Sequence, residues 1–340
     1  MSEKIRIAVD AMSGDLGPRV VIAAAIRFVA TSPEVELLLV GDQDQMQSLL
    51  SSNSAPAHPA IRIFHAPDTV SMHEDPLSAL RHKKDSSMWR ALLLVQERHA
   101  DACVSAGNTG ALMAMSKHLL KTFPGIERPA ICKSMPVEQG SSFMLDLGAN
   151  LTCTPEQLHQ FALMGSVLAS STGVSTPRVA LLNVGAEATK GTDVIKRSHV
   201  LLSQDEQLNY VGFIEGDALY LGQANVIVCD GFSGNVALKT SEGVARLITR
   251  IIEKSFTRHW YLKLLALFMR PMLRQWRREL NPGAYNGASF LGLQQPVVKS
   301  HGSADEEAFY QALLVAKEQV AQKVPLRIQN ALHATLKDSL

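Results

Sequence analysis

Several short motifs that mark common enzyme sites are missing from this 340-residue sequence. It has no GxGxxG dinucleotide fingerprint and no GxxxxGK phosphate loop followed by Ser or Thr. It also has no GxSxG nucleophile elbow and no HExxH zinc pair. These absences exclude the standard nucleotide, serine-hydrolase and zinc-peptidase signatures, so a functional site has to be built from other residues.

Cysteine pairs with metal-binding or redox spacing are absent as well. The cysteines Cys103, Cys132, Cys153 and Cys229 are far apart, and no CxxC occurs. Three of them, all but Cys153, lie inside apolar strand-like runs, which favours buried, reduced thiols in a cytoplasmic protein. No nearby residue activates one of them as a nucleophile.

Long apolar runs and an N-terminal signal core are also missing. Residues 1–6 lead straight into a strand-like run, and no stretch reaches the roughly 20 apolar residues that a membrane span needs. With 46% hydrophobic and 19% charged residues, the chain has an ordinary globular composition. We therefore expect a cytoplasmic protein in which residues 1–340 form a single domain.

Short apolar runs alternate with helical patterns along most of the chain. The predicted strands are residues 5–10, 35–40, 61–65, 102–105, 143–147, 179–184, 210–214 and 226–230. The predicted helices include residues 20–30, 88–99, 111–121 and 156–170, the last preceded by a capping box at Thr154. This alternation indicates an α/β protein with a mainly parallel, Rossmann-like sheet and helices on both faces.

Glycine and small polar residues fill five predicted strand-to-helix connections, at residues 11–18, 105–110, 148–150, 185–191 and 231–235. Glycine lets a ligand approach backbone amides closely, and helix N-termini carry free N–H groups and positive dipole ends. Because the carboxyl ends of parallel strands meet at one edge, we expect all five loops on one rim. Turn geometry alone would explain one such loop, but five of them favour a phosphate site.

Residues 246–280 differ from the rest of the chain in charge and hydropathy. They hold nine basic and two acidic residues, a net charge of +7. Residues 260–269 are apolar except for Lys263, and Pro271 then breaks or kinks the helix. The pattern predicts a protruding amphipathic helical hairpin, which we call the basic hairpin.

The basic hairpin has three possible contacts: an anionic membrane surface, an acidic partner protein, or a second copy of this chain. Nucleic acid is disfavoured because the rest of the chain is acidic. The residues expected to contact membrane or partner are Arg258, Trp260, Lys263, Leu264, Phe268, Arg274, Arg277 and Arg278.

Stretches of a known family pattern occur in order along nearly the whole chain. They are residues 9–15, 79–81, 83–88, 105–112, 128–130, 145–150, 181–191, 228–242, 285–288 and 299–302, including DGFSGN at 230–235 and KSHG at 299–302. By these residues the sequence resembles the acyl-acyl-carrier-protein:phosphate acyltransferases of bacterial phospholipid synthesis. Ser13 and Asn286 stand where the family more often has Gly, and Ala186 replaces a commonly acidic residue.

The resemblance implies that inorganic phosphate attacks the thioester of a long-chain acyl-acyl carrier protein, giving acyl phosphate and free carrier protein. It also implies a homodimer without an organic cofactor, and a fold related to phosphotransacetylases and isopropylmalate-type dehydrogenases. The acyl phosphate then passes to a membrane glycerol-3-phosphate acyltransferase. We therefore expect peripheral association with the inner face of the cell membrane, and no metal site.

Phosphate is a competent nucleophile and thiolate a good leaving group, so such an enzyme chiefly places its reactants and stabilises an oxyanion. We expect Lys190, the basic residue within the five loops, to carry the phosphate charge. Asn235, at a helix start, would donate to the thioester oxyanion or orient phosphate. His301 lies in a family motif and is either catalytic or structural.

The other expected site residues belong to the glycine-rich loops. The expected phosphate ligands are Gly107, Asn108, Thr109, Gly110 and Gly234. The residues expected to shape the loops are Asp10, Gly14, Asp15 and Asn150, with a water-binding role left open for the two aspartates.

Two other functions stay open at this point. An NAD-dependent decarboxylating dehydrogenase would need a carboxylate cluster for a divalent metal, and Asp146, Asp217 and Asp230 lack a helical DxxxD pairing. A non-catalytic membrane scaffold would use the basic hairpin but would leave the five anion-type loops unexplained.

Overall fold

The computed structural model describes residues 4–53, 58–257, 268–279 and 282–338. Its strands are β1 (Ile5–Asp10), β2 (Val35–Gly41), β3 (Ile61–His65), β4 (Ala102–Ser105), β5 (Ala130–Pro136), β6 (Ser141–Leu145), β7 (Arg178–Leu182), β8 (Asn209–Ile214), β9 (Val226–Val228), β10 (Ala288–Leu291) and β11 (Val297–Lys299). Its helices are α1 (Pro18–Thr31), α2 (Gln43–Ser52), α3 (Pro76–His82), α4 (Ser87–Gln96), α5 (Thr109–Leu120), α6 (Pro155–Ser171), α7 (Asp193–Gln204), α8 (Gly231–Thr257), α9 (Arg270–Glu279), α10 (Glu306–Ala321) and α11 (Val324–Asp338).

The strands form one 11-stranded sheet in the order β3-β2-β1-β4-β11-β10-β5-β6-β9-β7-β8. Neighbouring strands are parallel from β3 to β11 and again from β6 to β8. Between these two halves, β10 is antiparallel to both β11 and β5, and β5 is antiparallel to β6. The sheet is therefore mainly parallel, as expected, but its two halves point in opposite directions.

This reversal corrects the expectation that all five glycine-rich loops share one rim. The carboxyl ends of β1, β4 and β11 lie at one edge of the sheet, which we call the first edge. The carboxyl ends of β6, β7 and β9 lie at the opposite, second edge. Loops 11–18 and 105–110 are thus at the first edge, and loops 148–150, 185–191 and 231–235 are at the second.

Apolar residues pack on both faces of the sheet because successive side chains of a strand point to opposite sides. On β1, Ile7 and Val9 join the core under α1 and α10, whereas Ala8 joins the core under α4 and α5. On β7, Val179 and Leu181 join a third cluster that includes α6 and α11 residues. Helices on both faces are confirmed.

Most sequence-predicted elements are present with small shifts of their ends. The strands predicted at 5–10, 61–65 and 102–105 have the same limits in the structure, and the predicted capping box at Thr154 starts α6. The strand predicted at 143–147 is wrong in position, since β6 ends at Leu145 and Asp146 begins a loop. Strands β5, β10 and β11 were not predicted.

The basic hairpin lies only in part within the described ranges. Helix α8 extends to Thr257 and α9 begins at Arg270, with Pro271 in its first turn, where proline is tolerated. The expected contact residues Arg258, Trp260, Lys263 and Leu264 lie outside the described residues. Phe268 is 83% exposed, and positions 274, 277 and 278 belong to α9. Within the described ranges, no helix is both long and apolar enough to cross a bilayer.

The cysteines are unpaired thiols. Cys103, Cys132 and Cys229 are buried, as expected from their apolar runs. Burial raises the pKa of each of these three thiols, so they stay protonated.

Candidate active site

Asp10, at the end of β1, joins two loops at the first edge. Its buried carboxylate accepts hydrogen bonds from Ser87 Oγ (2.6 Å) and Ser105 Oγ (2.7 Å). Ser13 Oγ donates to the Asp10 carbonyl oxygen (3.0 Å) and accepts from the Ala106 N–H (3.0 Å). Burial raises the pKa of Asp10, and the hydrogen bonds from the serines oppose that rise. Ser13, a departure from the family pattern, thus connects the two loops.

Gly14 and Asp15 bring loop 11–18 against the loop that follows β11. The Asp15 N–H donates to the Gly302 carbonyl oxygen at 2.7 Å. Gly14 has a φ of +91°, and a Cβ there would lie 3.1 Å from both Ala106 Cβ and Gly302 O. The position therefore combines left-handed backbone with close packing, which is why a residue without a side chain is required.

Lys299, at the end of β11, is a buried cation at the first edge. Its Nζ donates to the carbonyl oxygens of Ala106 (3.3 Å) and Ser300. Burial lowers the pKa of Lys299 to about 8, and the carboxylates of Asp10 and Asp15 limit the fall.

His301 follows Lys299 by two residues and is held through its backbone. Its N–H donates to Asn286 Oδ1 (2.9 Å), and its ring Nδ1 lies 2.9 Å from Ser303 Oγ. Asn286 Nδ2 donates in turn to Ser300 Oγ at 2.8 Å. Partial burial lowers the pKa of His301, and the nearby Lys239 ammonium lowers it further. Asn286, the second departure from the family pattern, therefore positions the loop that carries this histidine.

Helix α5 begins at the first edge with Asn108 as its N-cap. Asn108 Oδ1 accepts from the Ala111 N–H (3.0 Å), and its Nδ2 donates to the carbonyl oxygens of Met72 (3.0 Å) and Glu74 (2.9 Å). The Asn108 side chain is thereby used within the protein. The Gly107 N–H likewise donates to Ser105 Oγ (3.0 Å). The backbone amides that could bind a ligand are instead expected at Thr109 and Gly110, the first two residues of α5. At these positions the N–H groups have no acceptor within the helix.

Asp146 organises the loop after β6 at the second edge. Its carboxylate is fully buried and accepts from the N–H groups of Ile131 (2.9 Å), Gly148 (3.2 Å), Ala149 (3.1 Å) and Asn150 (2.6 Å). Asn150 Nδ2 donates to the same carboxylate at 2.9 Å. Burial raises the pKa of Asp146 while these hydrogen bonds oppose the rise.

The start of α8 packs directly on this loop. The Gly231 N–H donates to the Asn150 carbonyl oxygen (2.7 Å), and a Cβ at Gly234 would lie 1.9 Å from the Asp146 carbonyl oxygen. The Gly234 N–H donates to the Asp230 carbonyl oxygen (2.9 Å). The Gly234 N–H is therefore already hydrogen-bonded and is not free to donate to phosphate, the role that was expected of it. The structure instead shows a packing role for this glycine.

A cavity of about 620 Å³ joins the two edges along one face of α5. Thr109 and Gly110 line it at the first turn of α5, and Gly148, Ala149 and Asn150 line it from the second edge. The remaining walls are Leu80, Met113, Ala114, Lys117, His118, Arg128, Pro129 and Ile131. The structure thus brings together parts of the two loop groups even though their strands end at opposite edges.

Asn235 lies beside Gly148, one of the residues that line this cavity, and Lys190 is not among the lining residues. Asn235 is exposed, and its Cβ lies 3.6 Å from the position that a Cβ would take at Gly148. Lys190 is exposed. Its N–H donates to the Glu187 carbonyl oxygen (3.0 Å), its carbonyl oxygen accepts from Asn183 Nδ2 (3.4 Å), and its side chain packs near Gly185. Its loop follows β7, which neighbours β9, so it shares the second edge with Asn235.

Two charged residues that the sequence analysis did not select lie between the edges. Lys133, on β5, and Glu242, on α8, are nearly buried and their Nζ and Oε1 atoms are 3.7 Å apart. Both line a second cavity, of about 220 Å³, together with His301. The sequence signal that could have identified Lys133 is the presence of a lysine inside the mostly apolar run 130–135.

The chain matches proteins of known name over nearly its full length. A family model described as "Fatty acid synthesis protein" matches residues 5–327. A phosphate acyltransferase of Cellvibrio japonicus is 57% identical over 338 residues, covering 98% of this chain and 100% of that protein. A phosphate acyltransferase of Saccharophagus degradans is 51% identical over 336 residues, covering 99% of this chain and 98% of that protein.

Solved structures with a similar fold come from several enzymes. A phosphotransacetylase from Streptococcus pyogenes has a TM-score of 0.66 at 18% identity, covering 95% of each chain. The EutD phosphotransacetylase from Staphylococcus aureus has a TM-score of 0.62 at 18% identity, covering 93% of this chain and 94% of that one. A putative 4-hydroxythreonine-4-phosphate dehydrogenase from Salmonella typhimurium has a TM-score of 0.55 at 12% identity, covering 94% and 99%. At these identities the similarity shows the fold alone, and it agrees with the expected relation to phosphotransacetylases.

Proposed function

This chain belongs to the phosphate acyltransferase family, and from that premise we propose that it moves a long-chain fatty acyl group from acyl-acyl carrier protein to inorganic phosphate. It is an acyltransferase. The observation that carries the finer proposal is the cavity in which the first turn of α5 faces the Gly148–Asn150 loop, with Asn235 beside Gly148. Because the chain belongs to this family, the two alternative functions, a dehydrogenase and a non-catalytic scaffold, are no longer supported.

The reaction needs no redox partner. A phosphate oxygen attacks the carbonyl carbon of the thioester, so that a C–O bond forms and the C–S bond breaks. The products are acyl phosphate and the thiol of the carrier protein, whose sulfur takes the proton of hydrogenphosphate. We propose that the reaction uses neither an organic cofactor nor a metal ion, because placement and oxyanion stabilisation are the main requirements.

Oxyanion stabilisation falls to donors at two helix starts. Thr109 and Gly110 are the first residues of α5, where backbone amides and the positive end of the helix dipole favour negative charge. Asn235 is in the first turns of α8 and is proposed to offer a side-chain amide from its position beside Gly148. We assign it to the thioester oxyanion or to phosphate orientation.

The negative charge of phosphate requires a cation in addition to these hydrogen-bond donors. Lys190 is proposed to bind phosphate from its exposed loop at the second edge. His301 is proposed as a further catalytic group at the first edge, held by Asn286 and Ser303. Gly107 and Asn108 contribute by holding the start of α5 in place.

The remaining loop residues are proposed to keep the site in shape. Asp10, Gly14 and Asp15 fix loops at the first edge, and Asn150 fixes the turn that α8 packs on. Their contacts are with backbone groups, with serine hydroxyls and with the Asp146 carboxylate, which is what a positioning role requires.

The proposed partners follow from the substrate and from the basic hairpin. Acyl-acyl carrier protein and phosphate are the substrates, and the acyl phosphate goes to a membrane glycerol-3-phosphate acyltransferase. We propose a homodimer at the inner face of the cell membrane, with the basic hairpin at an anionic surface, carrier protein or partner copy.

Purified chain with an acyl carrier thioester tests the reaction. Free thiol release is measured with and without phosphate, and hydroxylamine traps acyl phosphate as the hydroxamate. Both products should depend on phosphate. Equal thiol release without phosphate, or no release at all, rejects the proposal.

The role of Lys190 is tested by Lys190→Ala in the same assay. We expect a loss of about 100-fold with folding intact, as for removal of one charge-stabilising group. Lys196→Ala, on α7, is the matched control and should keep the wild-type rate. A near-normal rate for Lys190→Ala removes that residue from the site.

A further inference from the structure

Glu242, on α8, holds three cations around one buried carboxylate. Its side chain is 7% exposed, and its oxygens lie 3.1 Å from Lys239 Nζ, 3.7 Å from Lys133 Nζ and 4.0 Å from Arg246 Nη1. Burial would raise the pKa of Glu242, but Lys133 and Lys239 outweigh that effect and the pKa lies below its ordinary value. Glu242 is therefore ionised at neutral pH. We call these four residues the Glu242 cluster.

The positive charge of the Glu242 cluster exceeds what the carboxylate can neutralise. Lys133 comes from the middle of β5 with 11% of its side chain exposed, and burial lowers its pKa. The other carboxylate on the wall, Asp305, accepts from the Ala308 N–H (2.9 Å) as the N-cap of α10. The nearly buried charges of Lys133 and Glu242 cancel, whereas Lys239 and Arg246, with 52% and 55% of their side chains exposed, add positive charge around the same carboxylate. Three cations thus accompany two carboxylates, and a small anion that binds there gains charge-assisted hydrogen bonds.

Three residues of the cluster, Lys133, Glu242 and Arg246, line the cavity of about 220 Å³ that His301 also lines. Lys239 lies beside it, with its Nζ 3.1 Å from the Glu242 carboxylate. That space accommodates a tetrahedral anion with a few waters, but not a carrier-protein arm together with its acyl chain. Lys133, Glu242 and Arg246 form one side of the cavity, and His301 and Ser303 form another. A small anion entering there meets cations from a strand and from a helix.

Helix geometry connects this cavity with the proposed oxyanion donor. Asn235, Lys239, Glu242 and Arg246 are spaced by four, three and four residues and so occupy one face of α8. At 1.5 Å per residue, Asn235 and Glu242 are about 10 Å apart along the helix axis. Lys239 lies between them, and its Nζ is 3.1 Å from Glu242 Oε2.

From this arrangement we infer that the Glu242 cluster is a binding site for a phosphate group of the reaction, with Lys133, Lys239 and Arg246 as ligands and Glu242 as their positioning residue. This inference rests on the proposed function. Two substrates bring such a group: inorganic phosphate, and the phosphate ester that links the prosthetic arm to the carrier protein. Both are recognised by the same chemistry of ammonium and guanidinium donors.

Lys133→Met and Lys239→Met separate the two sources. If inorganic phosphate binds here, its KM rises at least tenfold and the KM for acyl carrier protein changes little. If the arm phosphate binds here, the pattern is the reverse. Lys196→Met, on α7, is the matched control. Both KM values within twofold of wild type in both cluster variants overturn the inference.

A purely structural ion pair is tested by Lys133→Leu combined with Glu242→Leu. This pair of changes removes the nearly buried charges together, and thermal unfolding checks that the fold persists. A folded double variant with wild-type KM values shows that the pair only stabilises the protein. A folded double variant with raised KM for either substrate supports the binding site.

Binding without turnover keeps this test independent of the reaction. Calorimetric titration of inorganic phosphate into the full chain should give a Kd that rises at least tenfold in Lys239→Met, whose side chain is half exposed and costs little fold stability. Wild-type protein that binds phosphate in this way but releases no thiol would reject the proposed function and leave the site. Unaltered phosphate binding in Lys239→Met, together with an unchanged KM for acyl carrier protein, overturns the site alone.

Discussion

At the scale of one residue, the burial of Lys299 makes the free energy of unfolding depend on pH. Its pKa of about 8 compares with 10.5 for an ordinary lysine. Below pH 8, Lys299 is protonated in both the folded and the unfolded chain, and the folded state is destabilised by the full free energy of burying its ammonium group. Between pH 8 and 10.5 the unfolded chain binds more protons, so the free energy of unfolding rises with pH. The total gain is on the order of 3 kcal/mol.

We therefore expect the wild-type protein to gain stability relative to Lys299→Met between pH 7.5 and 9.5. Denaturant unfolding of both proteins at several pH values measures this, and other titrating groups cancel in the difference. Parallel stability curves would show that Lys299 keeps an ordinary pKa in the folded protein.

The sequence predicted loop residues more readily than residues on regular elements. Gly14 lies in a glycine-rich turn, and such a local pattern indicates a backbone conformation that other residues rarely adopt. Lys133 and Glu242 are 109 positions apart, on a strand and a helix, and only the packing of α8 on the sheet brings them together. No local pattern encodes that contact, so the Glu242 cluster was missed while the exposed Lys190 was selected.

At the scale of elements, α8 offers a pair of glycines with opposite surroundings. A Cβ at Gly234 would lie 1.9 Å from the Asp146 carbonyl oxygen, whereas a Cβ at Gly243 would meet nothing within 4 Å. Gly234→Ala should therefore separate α8 from the Asp146 loop and cost about 3 kcal/mol of stability. Gly243→Ala, the matched control, should stabilise the helix by up to about 1 kcal/mol.

Chemical denaturation with and without an activity assay checks both glycine variants. Gly234→Ala should also lower phosphate-dependent turnover, because it displaces Asn235 from Gly148. Wild-type stability in Gly234→Ala would contradict the packing described for the start of α8.

Strands were predicted where an apolar run is long enough to show its pattern. Strands β1, β3 and β4 have four to six apolar or alternating residues and were found with the right limits. Strand β5 contains Lys133 and ends in Pro136, β10 is interrupted by Ser289, and β11 has only three residues, one of them Lys299. Such short or interrupted runs carry little periodicity, so their existence became clear only from the assembled sheet.

At the scale of the whole molecule, these missed strands decide where the loops lie. The antiparallel pairings of β10 and β5 reverse the second half of the sheet. A sequence that shows only alternating strands and helices predicts one rim, and the true arrangement has two. The cavity along α5 connects them, which is why a site that uses both loop groups is still possible.

The proposed membrane contact of the basic hairpin is also a property of the whole molecule. Replacing Trp260, Leu264 and Phe268 with Ser should abolish binding to vesicles that contain anionic lipid, because their apolar area anchors an interfacial helix. Turnover of a soluble acyl carrier substrate should persist. Flotation with vesicles measures the first property, and unchanged flotation would assign the hairpin to carrier protein or to the partner copy.

The most direct test of the acyl transfer follows the oxygen atoms of phosphate. The enzyme is incubated with acyl carrier thioester and with phosphate labelled with four ¹⁸O atoms. The mass of the acyl phosphate product is then measured by mass spectrometry. Attack by phosphate on the thioester carbonyl predicts that all four labelled oxygens stay in the product, including the bridging one. A product that has lost one label would show that the bridging oxygen comes from a fatty acid carboxylate, and that phosphate is not the nucleophile.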